Sequence, residues 1–373
     1  MNIFVNALNS KSGGGKSILT NFLVLLSENP LNKIYYFLVP NTNKYERFES
    51  DFIHILKLPR LYSKTCLFPY VNRFVLPGLI ERCGCTLIFN LADIPIPSKI
   101  KQVFLFDWPY AVFPESPVWK MMDFFNWLTR KTKLFFFKKN LKYVDLMIAQ
   151  SPAIKLRLEK YFGISDIEVI PNSVSIDNLK RENTCDFRLG NGLNLLCLTY
   201  YYPHKNIEVL IPLAREIASR RENFRIITTI APEQHPMAKR FLHKIEKLGL
   251  QGVIKNIGPV SMRDVPSLYA QTDGLLLPTL LESFSGTYVE AMFHGKPIFT
   301  SELDFATGVC ADAAYYFDPL NPDEILEKIL ESQNDPAGRN KRIEAGRRIL
   351  AEHLTWEQAF HAYLQLFNKA LQG

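Results

Sequence analysis

Short apolar runs alternate with longer stretches of helical periodicity along most of the chain. The short runs fall at residues 2–8, 33–39, 86–90, 101–106 and 145–149, then at 193–198, 224–230, 253–256, 274–277 and 297–300. Many are near-continuous in apolar residues rather than alternating, the pattern of parallel strands buried on both faces. Helical patterns lie between them, for example at 206–220, 237–248, 265–272 and 287–294. Strand-helix repetition predicts an α/β architecture of doubly wound sheets. A last stretch, 339–371, is helical and amphipathic, and no solenoid or propeller period is visible.

The length of 373 residues predicts two domains. Hydrophobic residues make up 47% and charged residues 22%, enough apolar material for two cores, which excludes a disordered chain. The boundary is expected within 171–192, where the polar stretch 180–184 precedes Gly190 and Gly192. The expected domains are 1–175 and 190–354, with the helix at 355–373 packing back on the first. Cys66, Cys83, Cys85, Cys185, Cys197 and Cys310 are scattered without zinc spacing and read as free thiols of a reducing compartment. Residues 1–8 read as a strand, and no clean apolar run reaches about 18 residues. A cytoplasmic chain is expected.

The net charge of +7 is uneven. Residues 1–172 hold 22 Lys+Arg against 13 Asp+Glu, and the remainder holds 22 against 24. The first half is therefore expected to face something anionic.

The sharpest chemical signal is Glu282-Ser283-Phe284-Ser285-Gly286-Thr287-Tyr288-Val289-Glu290-Ala291, between an apolar strand and a helix. Ser285, Gly286 and Thr287 fall at the helix start, where unpaired N–H groups and a partial positive charge suit a phosphate. Gly286 lets a ligand approach the backbone. Glu290 lies about one turn in, and Glu282 precedes it on the loop; both carboxylates can accept from sugar hydroxyls. Lys205, within His204-Lys205-Asn206 after the strand at 193–198, can set its ammonium against a diphosphate and neutralise charge on a leaving group.

This segment resembles the Glu-x7-Glu motif of family 4 retaining glycosyltransferases (glycosyl transferases group 1), which continues as Glu-Ala-x-x-x-Gly-x-Pro. Glu290-Ala291-Met292-Phe293-His294-Gly295-Lys296-Pro297 fits it, and so does the approach through Asn256-Ile257-Gly258-Pro259-Val260, Leu268-Tyr269 and Thr272-Asp273. The resemblance implies a GT-B fold, with two Rossmann-like domains facing each other across a cleft that holds the donor. It implies that Glu290 holds the nucleotide ribose and Glu282 the transferred sugar. Asn206, Ser283, Phe284, Ser285, Gly286 and Thr287 would contact the donor, and backbone near Val260 the base. The family's Arg five residues before the Lys is here Tyr200. With no Asp-x-Asp beside the site and a Lys at the diphosphate, neither a metal nor another cofactor is expected.

Gly13-Gly14-Gly15-Lys16-Ser17 follows the first strand. The resemblance assigns this place to a glycine-rich loop near the donor diphosphate and the acceptor, with Gly14 and Gly15 as contacts. A P-loop needs Gly at position 10, where Ser10 stands. Asp107 closes the strand at 101–106, where the family often has a His-Asp pair, and could orient an acceptor hydroxyl. Residues 119–142 carry seven Lys and Arg against Asp123, interleaved with aromatics. Two readings of that segment are open: docking on an anionic membrane surface through 119–143, and an amphipathic helix packed on the first sheet with snorkelling lysines. No nucleic-acid recognition motif accompanies it.

The expected function is retaining transfer of a sugar from a nucleotide-diphosphate donor to a hydroxyl of a glycan or lipid-linked saccharide. Two alternatives remain open: a catalytically inactive GT-B nucleotide-binding module, suggested by Tyr200, and a P-loop-like NTPase using Gly13–Ser17.

Overall fold

The computed structural model describes residues 1–11, 13–63, 67–174, 179–180 and 185–372. Cys66 and the polar stretch 181–184 lie outside the described residues. The chain divides into two compact units, one of residues 1–114, 123–173 and 354–373, the other of 115–122 and 174–353.

The first unit holds strands β1 (Asn2–Asn6), β2 (Ile34–Val39), β3 (Ile53–Lys57), β4 (Leu87–Asn90), β5 (Lys101–Leu105), β6 (Leu146–Ala149) and β7 (Ile167–Val169). They form one sheet in the order β3-β2-β1-β4-β5-β6-β7, and every pairing is parallel. The second unit holds β8 (Leu193–Cys197), β9 (Phe224–Thr228), β10 (Ile254–Asn256), β11 (Gly274–Leu277), β12 (Ile298–Ser301) and β13 (Ala314–Phe317), in the order β10-β9-β8-β11-β12-β13, again all parallel. Both sheets are Rossmann-like. The direction of strand succession reverses between β1 and β4 in one and between β8 and β11 in the other. Ligands of such sheets bind beyond the carboxyl ends of the strands at that reversal.

Central strands are buried on both faces, as their continuous apolar runs predict. β3, β7 and β13 had no counterpart among the predicted strands. All three are edge strands: β3 reads Ile-His-Ile-Leu-Lys and leaves four residues half-buried, and β7 has three residues. In β3 and β7 the half-buried residues dilute the apolar signal, whereas β13, Ala-Tyr-Tyr-Phe, buries three of its four residues.

Each sheet is covered by helices whose apolar spacing matches the turn. Helix Leu210–Ser219 buries Leu210, Leu213, Ala214 and Ile217 on one stripe. In the first unit, Phe22 of helix Gly13–Glu28 lies 5.9 Å from Phe37, 5.6 Å from Phe89 and 5.1 Å from Phe360, ring centre to ring centre. Phe360 belongs to the last helix, Trp356–Gln372, which also sends Tyr363 and Phe367 into this core. The predicted helical stretch 339–371 is two helices, Pro336–Ala351 and Trp356–Gln372. Between them, Thr355 and Gln358 form a capping box: the Thr355 amide donates to Gln358 Oε1 at 2.9 Å, and the Gln358 amide donates to Thr355 Oγ1 at 3.3 Å. Cys83, Cys85, Cys185, Cys197 and Cys310 are free thiols.

Phe367 is fully buried, 4.9 Å from Phe89. Phe367→Ala is expected to cost the first unit about 3–5 kcal/mol, measured by urea unfolding; a loss below about 1 kcal/mol would mean that the helix is not part of this core.

Candidate active site

The donor-type motif and Lys205 converge beyond the ends of β8 and β11, neighbours through Leu195–Gly274 and Leu196–Leu275. After β8 the chain enters a tight 3-10 turn, Pro203–Lys205, followed by Asn206 at φ 53°. Asn is one of the few side chains that tolerate this left-handed conformation. Its buried carboxamide donates to the carbonyls of Pro278 at 3.1 Å and Pro319 at 2.7 Å. Those prolines follow β11 and β13, so one side chain ties three strand ends together. Thr279 Oγ1 and the Leu280 amide both donate to the His204 carbonyl, at 3.0 and 2.7 Å. The turn so fixed brings the Lys205 ammonium into an ion pair with Glu282, and both side chains are largely buried.

From Glu282 the loop passes the buried Ser283 and Ser285 into helix Gly286–Phe293. Ser285 is the N-cap, yet its side chain bonds Thr287 Oγ1 at 2.9 Å and makes no cap bond to the first-turn amides. A helix start without a side-chain cap is suited to an anion. A Cβ on Gly286 would meet Val174 Cγ2 at 3.4 Å, an ordinary contact, and its φ is not left-handed. Neither packing nor backbone geometry requires glycine here. Phe284 stacks on His353 with ring centres 5.8 Å apart.

Glu290 is buried one turn into the helix and accepts from the Tyr269 hydroxyl at 3.3 Å; that hydroxyl also reaches the Thr287 carbonyl at 3.2 Å. Burial pushes the Glu290 carboxyl up to about 7, and the Tyr269 bond works against the rise. The Tyr269 ring stacks on His294, 4.8 Å away. Burial, helped by Lys296, holds His294 down to about 4, so its ring is neutral near pH 7. The helix then stops: Gly295 turns left-handed at φ 60°, and the Lys296 amide returns to the Ala291 carbonyl at 2.9 Å. The Gly-x-Pro end of the motif is thus the helix stop that leads into β12.

Of the residues singled out from sequence, Lys205, Glu282, Ser283, Ser285, Gly286, Thr287 and Glu290 line these two strand ends and the helix start. Asn206 holds the turn, with its carboxamide engaged on carbonyls. Val260 stands apart, half-buried on the loop after the edge strand β10. Gly14, Gly15 and Asp107 are in the first unit. A Cβ on Gly14 would lie 3.3 Å from Asn172 Nδ2 and 3.7 Å from Asp107 Oδ2, and one on Gly15 would lie 3.5 Å from Ser10 Oγ. Asp107 also lies in the field of Lys133, which pairs with Asp93. Tyr200 is exposed, with its ring 5.0 Å from Tyr202. Sequence reasoning missed two contributors. Tyr269, the hydrogen-bond partner of Glu290, sits in the Leu268-Tyr269 approach to the motif, so a signal was present. Thr279 had none, since its role is a bond to a turn 75 residues away.

With this geometry in place, likeness to other proteins defines the class. The fold is GT-B, with two Rossmann-like units. A glycosyltransferase structure from Rickettsia africae superposes with a TM-score of 0.74 at 16% identity, covering 100% of this chain and 99% of that one. Anabaena HepE in complex with UDP-glucose superposes at 0.73 with 17% identity, covering 99% and 100%. Residues 191–349 match the family described as Glycosyl transferases group 1, and the second unit is a domain of that family. Among curated relatives, the O-antigen chain mannosyltransferase B of Escherichia coli is 32% identical over 124 residues, 32% of this chain and 32% of that protein. The chain thus spans about a third of that relative's length in the match.

Tyr269→Phe removes the bond that stabilises the Glu290 carboxylate, so its titration is expected to move above about 7, read by NMR of the labelled carboxyl carbon. The sign for stability follows. Between pH 4.5 and about 7 the folded chain keeps a proton that the unfolded chain releases, so this group's contribution to stability falls as pH rises through that window. An unchanged titration in Tyr269→Phe would separate the hydroxyl from Glu290.

Proposed function

We propose that the chain is a retaining glycosyltransferase that moves a sugar from a nucleotide-diphosphate sugar to a hydroxyl of a glycan or lipid-linked saccharide. One observation carries this reading: a cation and a carboxylate from adjacent strand ends are held in contact beside an uncapped helix start. The group 1 match of the same unit supports it. In the proposed reaction, the diphosphate lies between the helix start at Ser285–Thr287 and the Lys205 ammonium, which neutralises the departing charge. Glu282, released from Lys205 by the competing phosphate, accepts from hydroxyls of the sugar. Glu290 accepts from the ribose hydroxyls. The anomeric carbon–phosphate bond breaks and the bond to the acceptor oxygen forms on the same face. The acceptor's proton goes to the departing phosphate oxygen, and Asp107 orients the acceptor hydroxyl. No metal or other cofactor takes part in this scheme.

An acceptor at an anionic membrane surface is supported by helix Phe124–Asn140. Only Phe137 and Asn140 of that helix are buried, while Phe124, Phe125 and Phe135 are 65%, 78% and 59% exposed among its lysines. Contacts with the first unit engage Arg130 over Tyr110, Lys133 over Trp108 and the last turns, and the exposed Phe124, Phe125 and Phe135 are the aromatics left to meet a headgroup layer. Among the described residues no helix is long and apolar enough to cross a membrane. We place the site of action on the cytoplasmic face.

Lys205→Gln is expected to lower kcat for transfer by roughly 100- to 1,000-fold, and NMR of the product is expected to show the donor's anomeric configuration. An inverted product would overturn the retaining mechanism, and nucleotide binding without transfer to any acceptor would favour an inactive module. Donor affinity should rise between pH 6 and 8 as Glu290 ionises, and Glu290→Gln should flatten that profile. In vesicle sedimentation, binding should require phosphatidylserine and fall about tenfold, order of magnitude, in Phe124→Ser/Phe125→Ser; equal binding to neutral vesicles would refute the electrostatic part.

A further inference from the structure

The first unit contains a cavity that the proposed chemistry leaves unused. It encloses about 490 Å³ and is lined by Ser10, Lys11, Lys16, Lys44, Tyr45 and Arg60, among others. These residues come from the loop after β1, the first turns of helix Gly13–Glu28, the turn after β2 and the segment after β3. An adjoining hollow of about 320 Å³ shares Lys16, Lys44 and Tyr45 and adds Arg47. No acidic residue lines either space, and among the described residues no carboxylate pairs with Lys11, Lys16, Lys44 or Arg60.

Four cations around one cavity repel one another unless an anion joins them. Surface lysines alone would be ordinary, but two further features point inward. Ser10 lines the cavity and is 3% exposed, and its buried hydroxyl has no hydrogen-bond partner. Buried polar atoms are almost always satisfied, so an orphan at a cavity wall signals a missing partner. The cavity also lies at the start of a 16-residue helix, whose amides and dipole favour negative charge. It sits beyond the carboxyl ends of β1 and β2, the side on which such sheets bind ligands.

We infer that this cavity binds a phosphate or diphosphate group carried by the acceptor. Lys11, Lys16, Lys44 and Arg60 supply the charge, Arg60 offers a paired donor edge to the oxygens, and Ser10 donates its hydroxyl. Calling the ligand an acceptor rests on the transferase reading above; the anion site itself does not. The phosphate could belong to a soluble sugar phosphate or to a lipid diphosphate, which share this chemistry.

The test is calorimetric titration of the full chain with inorganic pyrophosphate, with and without saturating uridine diphosphate. Pyrophosphate should still bind when the nucleotide is saturating. Lys44→Gln/Arg60→Gln should weaken that binding at least about tenfold and leave nucleotide affinity within about twofold. Lys44→Arg/Arg60→Lys should keep it, which separates charge from folding. Wild-type pyrophosphate affinity in the neutralised variant, or abolition of binding by the nucleotide, would overturn the site. If the wild type binds no nucleotide, the donor reading fails, and the pyrophosphate comparison is read without it. Competition by hexose 1-phosphate would identify a soluble source, and competition by neutral vesicles carrying an isoprenoid diphosphate a lipid one. Failure of both to compete would overturn the acceptor assignment.

Discussion

Lys205 and Glu282 meet with most of their surface removed from water. Holding two opposite charges in a partly dry setting is favourable only if each stays with the other or with an equivalent partner, because removing one leaves a buried charge uncompensated. The second unit is arranged to keep them together. Asn206 ties the strand ends after β8, β11 and β13, and the His204 carbonyl receives two donors from the next loop. A pair preorganised in this way is also exchangeable. A diphosphate can take Lys205 while hydroxyls take Glu282, and neither charge is left without a partner during the substitution.

The parallel sheet is what makes this possible. With every strand running the same way, all carboxyl ends face one side, and the reversal between β8 and β11 opens a space that no crossover covers. The same rule applied to the first sheet directs attention to the loops after β1 and β4. The glycine loop and the basic cavity lie beyond the end of β1, and Asp107 of the same unit follows β5. The two sheets differ in chemistry: the second offers a balanced ion pair and carboxylates, and the first offers uncompensated positive charge.

Much of this was legible in the sequence because it is local. Buried central strands announce themselves as apolar runs, and the stretch from Glu282 to Pro297 carries its loop, helix start and helix stop within sixteen residues. Edge strands β3 and β7 were not legible, since half-buried residues dilute the apolar pattern; β13 is apolar and buries three of its four residues, so that reason does not extend to it. The structural role of Asn206 was not legible either: its carboxamide bonds carbonyls 72 and 113 residues away, which spacing along the chain does not reveal. The helical run at 339–371 hid a capping box, because Thr355 and Gln358 are unremarkable until the chain is seen to turn there. Lys16 drew notice only as a failed P-loop lysine. Its neighbours in the cavity, Lys44 and Arg60, arrive from other strand ends, which spacing along the chain cannot reveal.

The account depends on Lys205 and Glu290 acting at one nucleotide-diphosphate site in the second unit. Calorimetric titration of the wild type, Lys205→Gln and Glu290→Gln with a panel of nucleoside diphosphates tests this most directly. One nucleotide should bind the wild type with a stoichiometry of one and lose at least about tenfold in affinity, roughly 1.4 kcal/mol, in each variant. Undiminished affinity in both variants would contradict the account.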